Sequence, residues 1–445
     1  MGKSSQSFNT AQLAILALLF VGVSALHFAA AYAPGPAPNW HGRTSEYYPL
    51  LADAFLAGQT SLLVPPDPRM LALPDPRDPI ANADYRLHDA SLYHGKYYLY
   101  FGPTPALVLF LPYKLLTGSY LPTRAAVALF CIGGYACSCA LFFLLARREK
   151  WVCPLWLAAT AILSLGTSSL VLFLLTRPSF YELAIASCYF FLIAGFALLA
   201  SSLGAEAPRL PALCLSGLCF GLAAGCRPTA SLLALLLMVL LFFRLRPRLS
   251  HLLVFVFPIA VCGVLLASYN YARFHNPLEF GMTYSLLANP ADMTDHFAHS
   301  FRNLLPSLYF LVFSRSSQFS SDPAVGLLWG APIALVGLLL PLVLRNQSLR
   351  DSIHLASSRF VMYSVYAAAV AILVLLAVWG FTLGRYDADF VPELVVLSWC
   401  LLAAAWQVVQ RLDGSKRLLF QATVFGLTLY SVVLDVGACW QRLPR

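Results

Sequence analysis

Apolar runs separated by short polar breaks occupy most of this chain. Eleven of them, at about 11–32, 124–146, 151–175, 179–203, 210–226, 228–243, 249–270, 324–344, 360–383, 387–410 and 418–437, approach or exceed the roughly 20 residues needed to cross a hydrocarbon core. Lipid cannot solvate a free backbone, so runs of this length predict helices, and the period-two alternation of a membrane barrel is absent. The runs on either side of Arg227-Pro228 are short, which predicts broken helices there. Arginine and proline at membrane depth are tolerated where they line a cavity or meet a ligand.

One stretch, His41 to Pro105, breaks the pattern by being long, polar and rich in proline. Ten prolines lie between Pro34 and Pro79 and predict extended or turn structure, since each fixes φ and removes a donor. Within it, Glu46 to Gln59 is nearly free of proline, and its Tyr48, Leu51, Ala52, Phe55 spacing predicts a short amphipathic helix at the interface. Phe101 to Leu116 is apolar but short, with Pro103, Pro105, Pro112 and Lys114, and reads as a juxtamembrane element. Residues 33–123 therefore form a first extracytoplasmic loop with juxtamembrane helices, and residues 271–323 a second.

Composition confirms the class and charge orients it. The chain of 445 residues is 59% hydrophobic and only 11% charged, with a mean hydropathy of +0.72, far from the roughly 25% charged residues of soluble domains. The breaks that share a side with Lys3 carry fourteen Lys and Arg against four acids, so they face the cytoplasm. The formal net charge of +9 thus reports orientation, and no basic patch interleaved with aromatics points to nucleic acid. The reading is a single all-α polytopic membrane domain over 1–445, with a first helix kept as an uncleaved anchor. Sparse lysine fits a bacterial inner membrane. The eleven cysteines lie in or beside apolar segments and read as small hydrophobes, with no zinc-ribbon spacing.

This orientation brings five polar clusters to one face: the first loop, Thr176 to Glu182, Cys226 to Pro228, Tyr269 to Asn303, and Gly384 to Asp389. Carboxylates beside arginines suit a reaction that deprotonates an acceptor and expels a phosphate. Glu46, or failing it Asp53 or Asp89, is the candidate general base. Lys96, Arg177, Arg227 and Arg385 are candidates for a donor phosphate, arginine through its bidentate fork. The plainer readings are a solvated helix face for Glu46 and Asp53, an interface anchor for Lys96, and a salt bridge between Arg385 and Asp387 or Asp389. Two sets have divalent-metal spacing: Asp292, Asp295, His296 and His299, and Asp84, His88, Asp89 and His94. Both are equally served by polar positions on a juxtamembrane segment, so no cofactor is assigned. No phosphate-cradling glycine motif is present, which disfavours a soluble nucleotide donor.

Ser45-Glu46-Tyr47-Tyr48, Gly95-Lys96-Tyr97-Tyr98 through Gly102-Pro103-Thr104-Pro105, Gly221 through Arg227-Pro228, Tyr269 through Phe274, and Gly384-Arg385-Tyr386 together resemble the GT-C superfamily of polyprenyl-phosphate-dependent glycosyltransferases. That superfamily includes protein O-mannosyltransferases, aminoarabinose lipid A transferases and Rgt-type bacterial sugar transferases. The family's acidic motif is often Asp-Glu; here its first position is Ser45, which leaves Glu46 as the matching carboxylate and Asp53 and Asp89 as substitutes. The resemblance implies an inverting transfer of a sugar from a polyprenyl-phosphate donor to a glycan, lipid or protein acceptor of the cell envelope, on the extracytoplasmic face. It also implies that Lys96 meets the donor phosphate. The competing readings are a transporter or lipid flippase, and a polysaccharide polymerase or ligase. A transporter more often shows related halves and charges at mid-span, and neither is visible here.

Overall fold

A computed structural model of the protein describes residues 8–33, 46–203, 208–245, 249–286, 302, 304–314, 326–379 and 384–442. Helix α1 (Thr10–Tyr32) opens the chain under an Asn9 cap. The first loop folds into α2 (Tyr47–Leu56), a short α3 (Pro68–Leu71), a hairpin of β1 (Ser91–Tyr93) and β2 (Lys96–Tyr98), then a π turn (Ala106–Phe110) running into α4 (Leu111–Thr117). Next come α5 (Thr123–Arg148), α6 (Leu155–Thr167), α7 (Val171–Thr176), α8 (Phe180–Ser202), α9 (Leu210–Ala224), α10 (Thr229–Leu245) and α11 (Leu249–Phe274). The last third holds α12 (Leu304–Phe313), the broken stretch α13 (Leu327–Gly330), α14 (Ala334–Leu338) and α15 (Leu340–Val343), and α16 (Gln347–Ser352). Three long helices end the chain: α17 (Ala356–Trp379), α18 (Val391–Val409) and α19 (Gly414–Arg442).

Seven helices, α1, α5, α8, α11, α17, α18 and α19, are long and apolar enough to cross a membrane. The other predicted crossings fall on shorter elements: α6 with α7, α9, α10, and the broken stretch 327–343. The α6 to α7 break is held from a distance, because the Leu170 N–H donates to the Asp435 carboxylate of α19 at 3.2 Å. That bond satisfies a backbone donor which lipid would leave unpaired. Helices α8 and α18 are buried on nearly every side, as a helix apolar all round must be. Helices α1, α11 and α19 turn Leu18, Phe257 and Leu419 outward, which suits contact with lipid tails.

One element differs in detail from the sequence reading. Helix α2 falls within the amphipathic stretch, yet it is not a surface-lying helix with a solvated face. Tyr48, Leu51, Ala52 and Ala54 are all buried, because the π turn and α4 pack over it. The π turn with α4 covers twelve residues, 106–117, about 18 Å at 1.5 Å per residue, short of a hydrocarbon core. The aromatic run ending the first loop is a hairpin with a two-residue turn: His94 and Gly95 both have positive φ, 47° and 66°, the geometry that matches strand twist.

Candidate active site

The first loop is anchored before it presents anything. Glu46 sits just before α2, and its Oε2 accepts from the Thr123 N–H at 2.7 Å and the Thr123 hydroxyl at 2.6 Å, which satisfies a free donor at the start of α5. Asp53, one turn from the end of α2, is engaged at both oxygens: Lys114 of α4 pairs with Oδ1, and the Tyr120 phenol donates to Oδ2 at 2.9 Å. Both carboxylates thus tie α2 to its neighbours.

Asp89 has a different setting. It lies just before the hairpin with φ 54°, a left-handed conformation that Asp tolerates better than most residues, and is 8% exposed. Its Oδ2 accepts from two phenols, Tyr100 at 2.8 Å and Tyr181 of α8, while the Ser285 hydroxyl lies 3.5 Å from Oδ1. Burial, then the Asp89 charge, holds the Tyr100 phenol well above its ordinary range, and the same two causes raise Tyr47. The surrounding backbone is fixed by the Ser91 to Ser285 bridge, by the Leu286 N–H on the Ala90 carbonyl at 3.0 Å, and by Tyr47 donating to the His88 carbonyl.

The strand leaving the hairpin is clamped against the helices. Arg273 of α11, only 2% exposed, donates to the Leu99 carbonyl and to Asn270 Oδ1, both at 2.6 Å, with its guanidinium 4.0 Å from the Tyr269 ring centre. Three residues on, Gly102 lies against the end of α9 so closely that a Cβ there would stand 2.0 Å from the Gly225 carbonyl oxygen. The same carbonyl accepts from the Thr104 N–H at 3.1 Å. This contact sets Tyr100 and Phe101 beside the turn that carries Arg227.

That turn is short because Pro228 disfavours a helical Arg227 and ends α9. Arg227 is buried and pairs with Asp389 at 2.9 Å. Arg385, from the 3-10 turn Gly384–Asp389 between α17 and α18, lies 3.7 Å from Glu182 and 4.3 Å over the Tyr181 ring. Glu182 is itself set by a capping box at the start of α8, where its carboxylate accepts from the Ser179 backbone and hydroxyl. Arg227 therefore pairs with Asp389, and Arg385 lies against Glu182 from across the bundle. Burial pushes the Asp389 carboxyl up to about 6, against the pull of Arg227.

These elements line a cleft walled by Tyr100, Tyr181, Tyr386 and Trp379, with Arg227 and Arg385 among its lining groups. Asp89 stands behind two of those tyrosines. Lys96, on β2, and Arg177, just past α7, are exposed and outside the cleft lining. The site therefore combines two arginines, each beside one carboxylate, with a wall of rings and a further carboxylate behind phenols. It can hold a monoanionic phosphate beside a group able to take a proton. Tyr100, Tyr181 and Glu182 carry no individual sequence reading. The Ser179-x-x-Glu182 spacing at the start of α8 is the signal that marks the last.

Among the described residues no group of three or more His, Cys, Asp or Glu could hold a metal ion, the Asp84, His88, Asp89, His94 set included. The set Asp292, Asp295, His296 and His299 lies outside the described residues.

No protein-family model matches the chain, and no curated protein does. Among solved structures it is similar to an oligosaccharyltransferase of Archaeoglobus fulgidus tethered with an acceptor peptide, at 13% identity and a TM-score of 0.51, over 97% of this chain and 55% of that one. The apo form of the same enzyme gives 13% identity and 0.50, over 96% and 55%. ArnT from Cupriavidus metallidurans bound to undecaprenyl phosphate gives 15% identity and 0.47, over 96% and 75%. The chain spans just over half the length of the oligosaccharyltransferase, and the likeness is one of fold.

Proposed function

We propose that this chain, which has the GT-C membrane fold, is a glycosyltransferase that moves a sugar from a polyprenyl-phosphate donor to a cell-envelope acceptor at the outer face of the membrane, with inversion. The observation that carries this reading is the meeting, at one cleft, of Arg227, Arg385 and the Asp89 carboxylate with its phenols. The donor's phosphodiester carries one negative charge and sits between Arg227 and Arg385. As the bond from the anomeric carbon to the phosphate oxygen breaks, charge grows on that oxygen, and fixed guanidinium groups stabilise it without reorganising. Asp89 takes the acceptor proton. Among the three candidate carboxylates it is the one whose hydrogen-bond partners line the cleft, whereas Glu46 and Asp53 are engaged by Thr123 and by Lys114 with Tyr120.

The test is transfer of radiolabelled sugar from a panel of purified polyprenyl-phosphate sugars in proteoliposomes. Wild type consumes one of them. Asp89→Asn lowers the rate by about 10²-fold to 10⁴-fold, the usual range for a lost general base. Arg227→Ala and Arg385→Ala weaken donor binding. A panel in which no donor is consumed by wild type would sink the reading.

A further inference from the structure

The carboxylate assigned as base does not itself line the cleft. Its Oδ2 is covered by two phenols, and those phenols, not Asp89, form the wall. A general base must come within about 2.6–3.2 Å of the proton it removes, directly or through one bridging group. With Asp89 behind Tyr100 and Tyr181, the bridging group is a phenol.

We propose that Tyr181 is a catalytic proton relay between the acceptor hydroxyl and Asp89, an inference that rests on the transferase reading above. Two observations, and the role given to Arg385 above, select Tyr181 over Tyr100. The Arg385 guanidinium lies 4.3 Å over the Tyr181 ring, where a fixed cation stabilises negative charge passing through the phenol oxygen. The ring is set at the start of α8, its own N–H held by the Ser179 hydroxyl at 3.2 Å, so the relay is built on a rigid element. Arg385 is also a group assigned to the donor phosphate, which places Tyr181 next to the reacting centre.

The step balances as follows. The acceptor oxygen forms its bond to the anomeric carbon as the carbon–oxygen bond to phosphate breaks, and the electron pair leaves with the lipid phosphate. The acceptor proton passes to the Tyr181 oxygen while the Tyr181 proton passes to Asp89 Oδ2. Tyrosine ends as it began, and Asp89 ends neutral. The proton then returns through the same phenol to water once the phosphate has left. Tyr100 holds the carboxylate in place and carries no proton.

The test uses the full-length protein in proteoliposomes, with the donor that wild type consumes. Tyr181→Phe lowers kcat by about 10²-fold while leaving the donor KM within about twofold, because the phenol acts in the transition state and not in ground-state binding. Tyr100→Phe, the positioning control, costs less than tenfold. Difluorotyrosine placed at 181 keeps the shape and the hydrogen bond while lowering the phenol pKa. It changes kcat at a fixed pH while leaving the donor KM within about twofold, a split that a purely structural role would not produce. If Tyr181→Phe keeps kcat within twofold, or if difluorotyrosine leaves kcat equal to wild type, the relay is wrong and the transferase reading stands. If wild type consumes no donor, both fall together.

Discussion

Glu46 and Asp89 are carboxylates of the same loop, and their neighbours give them different tasks. Glu46 accepts from the backbone and hydroxyl of Thr123, so Glu46→Gln removes a charge from a helix start. A cost of about 0.5–2 kcal/mol follows, with little change in transfer rate; the proteoliposome assay separates this from Asp89→Asn, which lowers transfer by about 10²-fold to 10⁴-fold. Asp389 supplies a pH signature. Its carboxyl is pushed up to about 6 by burial despite Arg227, whereas in the unfolded chain it titrates near about 3.9. Between those values the folded protein binds the extra proton, so this group's contribution to stability is lost as pH rises from about 4 to about 6. Below about pH 6 the neutral Asp389 also leaves the Arg227 charge uncompensated. Donor binding is therefore tighter at pH 5 than at pH 7, and Asp389→Asn flattens that difference in a binding titration. Composition could enumerate these acids but could not rank them, because the ranking depends on Thr123, Lys114 and Tyr181, which are distant in sequence.

At the scale of elements, the stretch from Leu99 to Thr104 couples loop to bundle. Arg273 grips its start, and the Gly102 to Gly225 approach closes its end. Arg273→Ala leaves the Leu99 carbonyl without its charged donor. Hydrogen bonds to a charged group are worth about 1.5–3 kcal/mol, so a loss of that size is expected, read as a lowered midpoint in detergent-solubilised thermal melts. Gly102→Ala drives a Cβ into a backbone oxygen that cannot yield as a flexible side chain would. It displaces Tyr100 from Asp89 and lowers kcat more than donor affinity, a split that steady-state kinetics resolves. The helices themselves were legible, and so was the short amphipathic stretch that became α2. Its burial was not, since the π turn and α4 that cover it are apolar for reasons the sequence assigns equally to lipid contact.

For the whole molecule, the alternation of helices brings the loop hairpin, the α9 to α10 turn and the 384–389 turn to one end, and the basic turns near Arg148 and Arg411 to the other. In a cysteine-free background, His94→Cys is labelled by an impermeant maleimide from outside intact cells, and Arg411→Cys only after permeabilisation. The reverse pattern would invert the site's orientation. The sequence by itself determined the order of the apolar segments, their helical character and the chain's polytopic membrane class, because each depends on local hydropathy, which neighbours in sequence supply. The tertiary structure alone decided that Tyr181 meets Asp89 across 92 residues, that Arg227 takes Asp389, and that Arg385 takes Glu182. Those pairings follow from helix packing and burial, which act through space and leave no periodic trace along the chain.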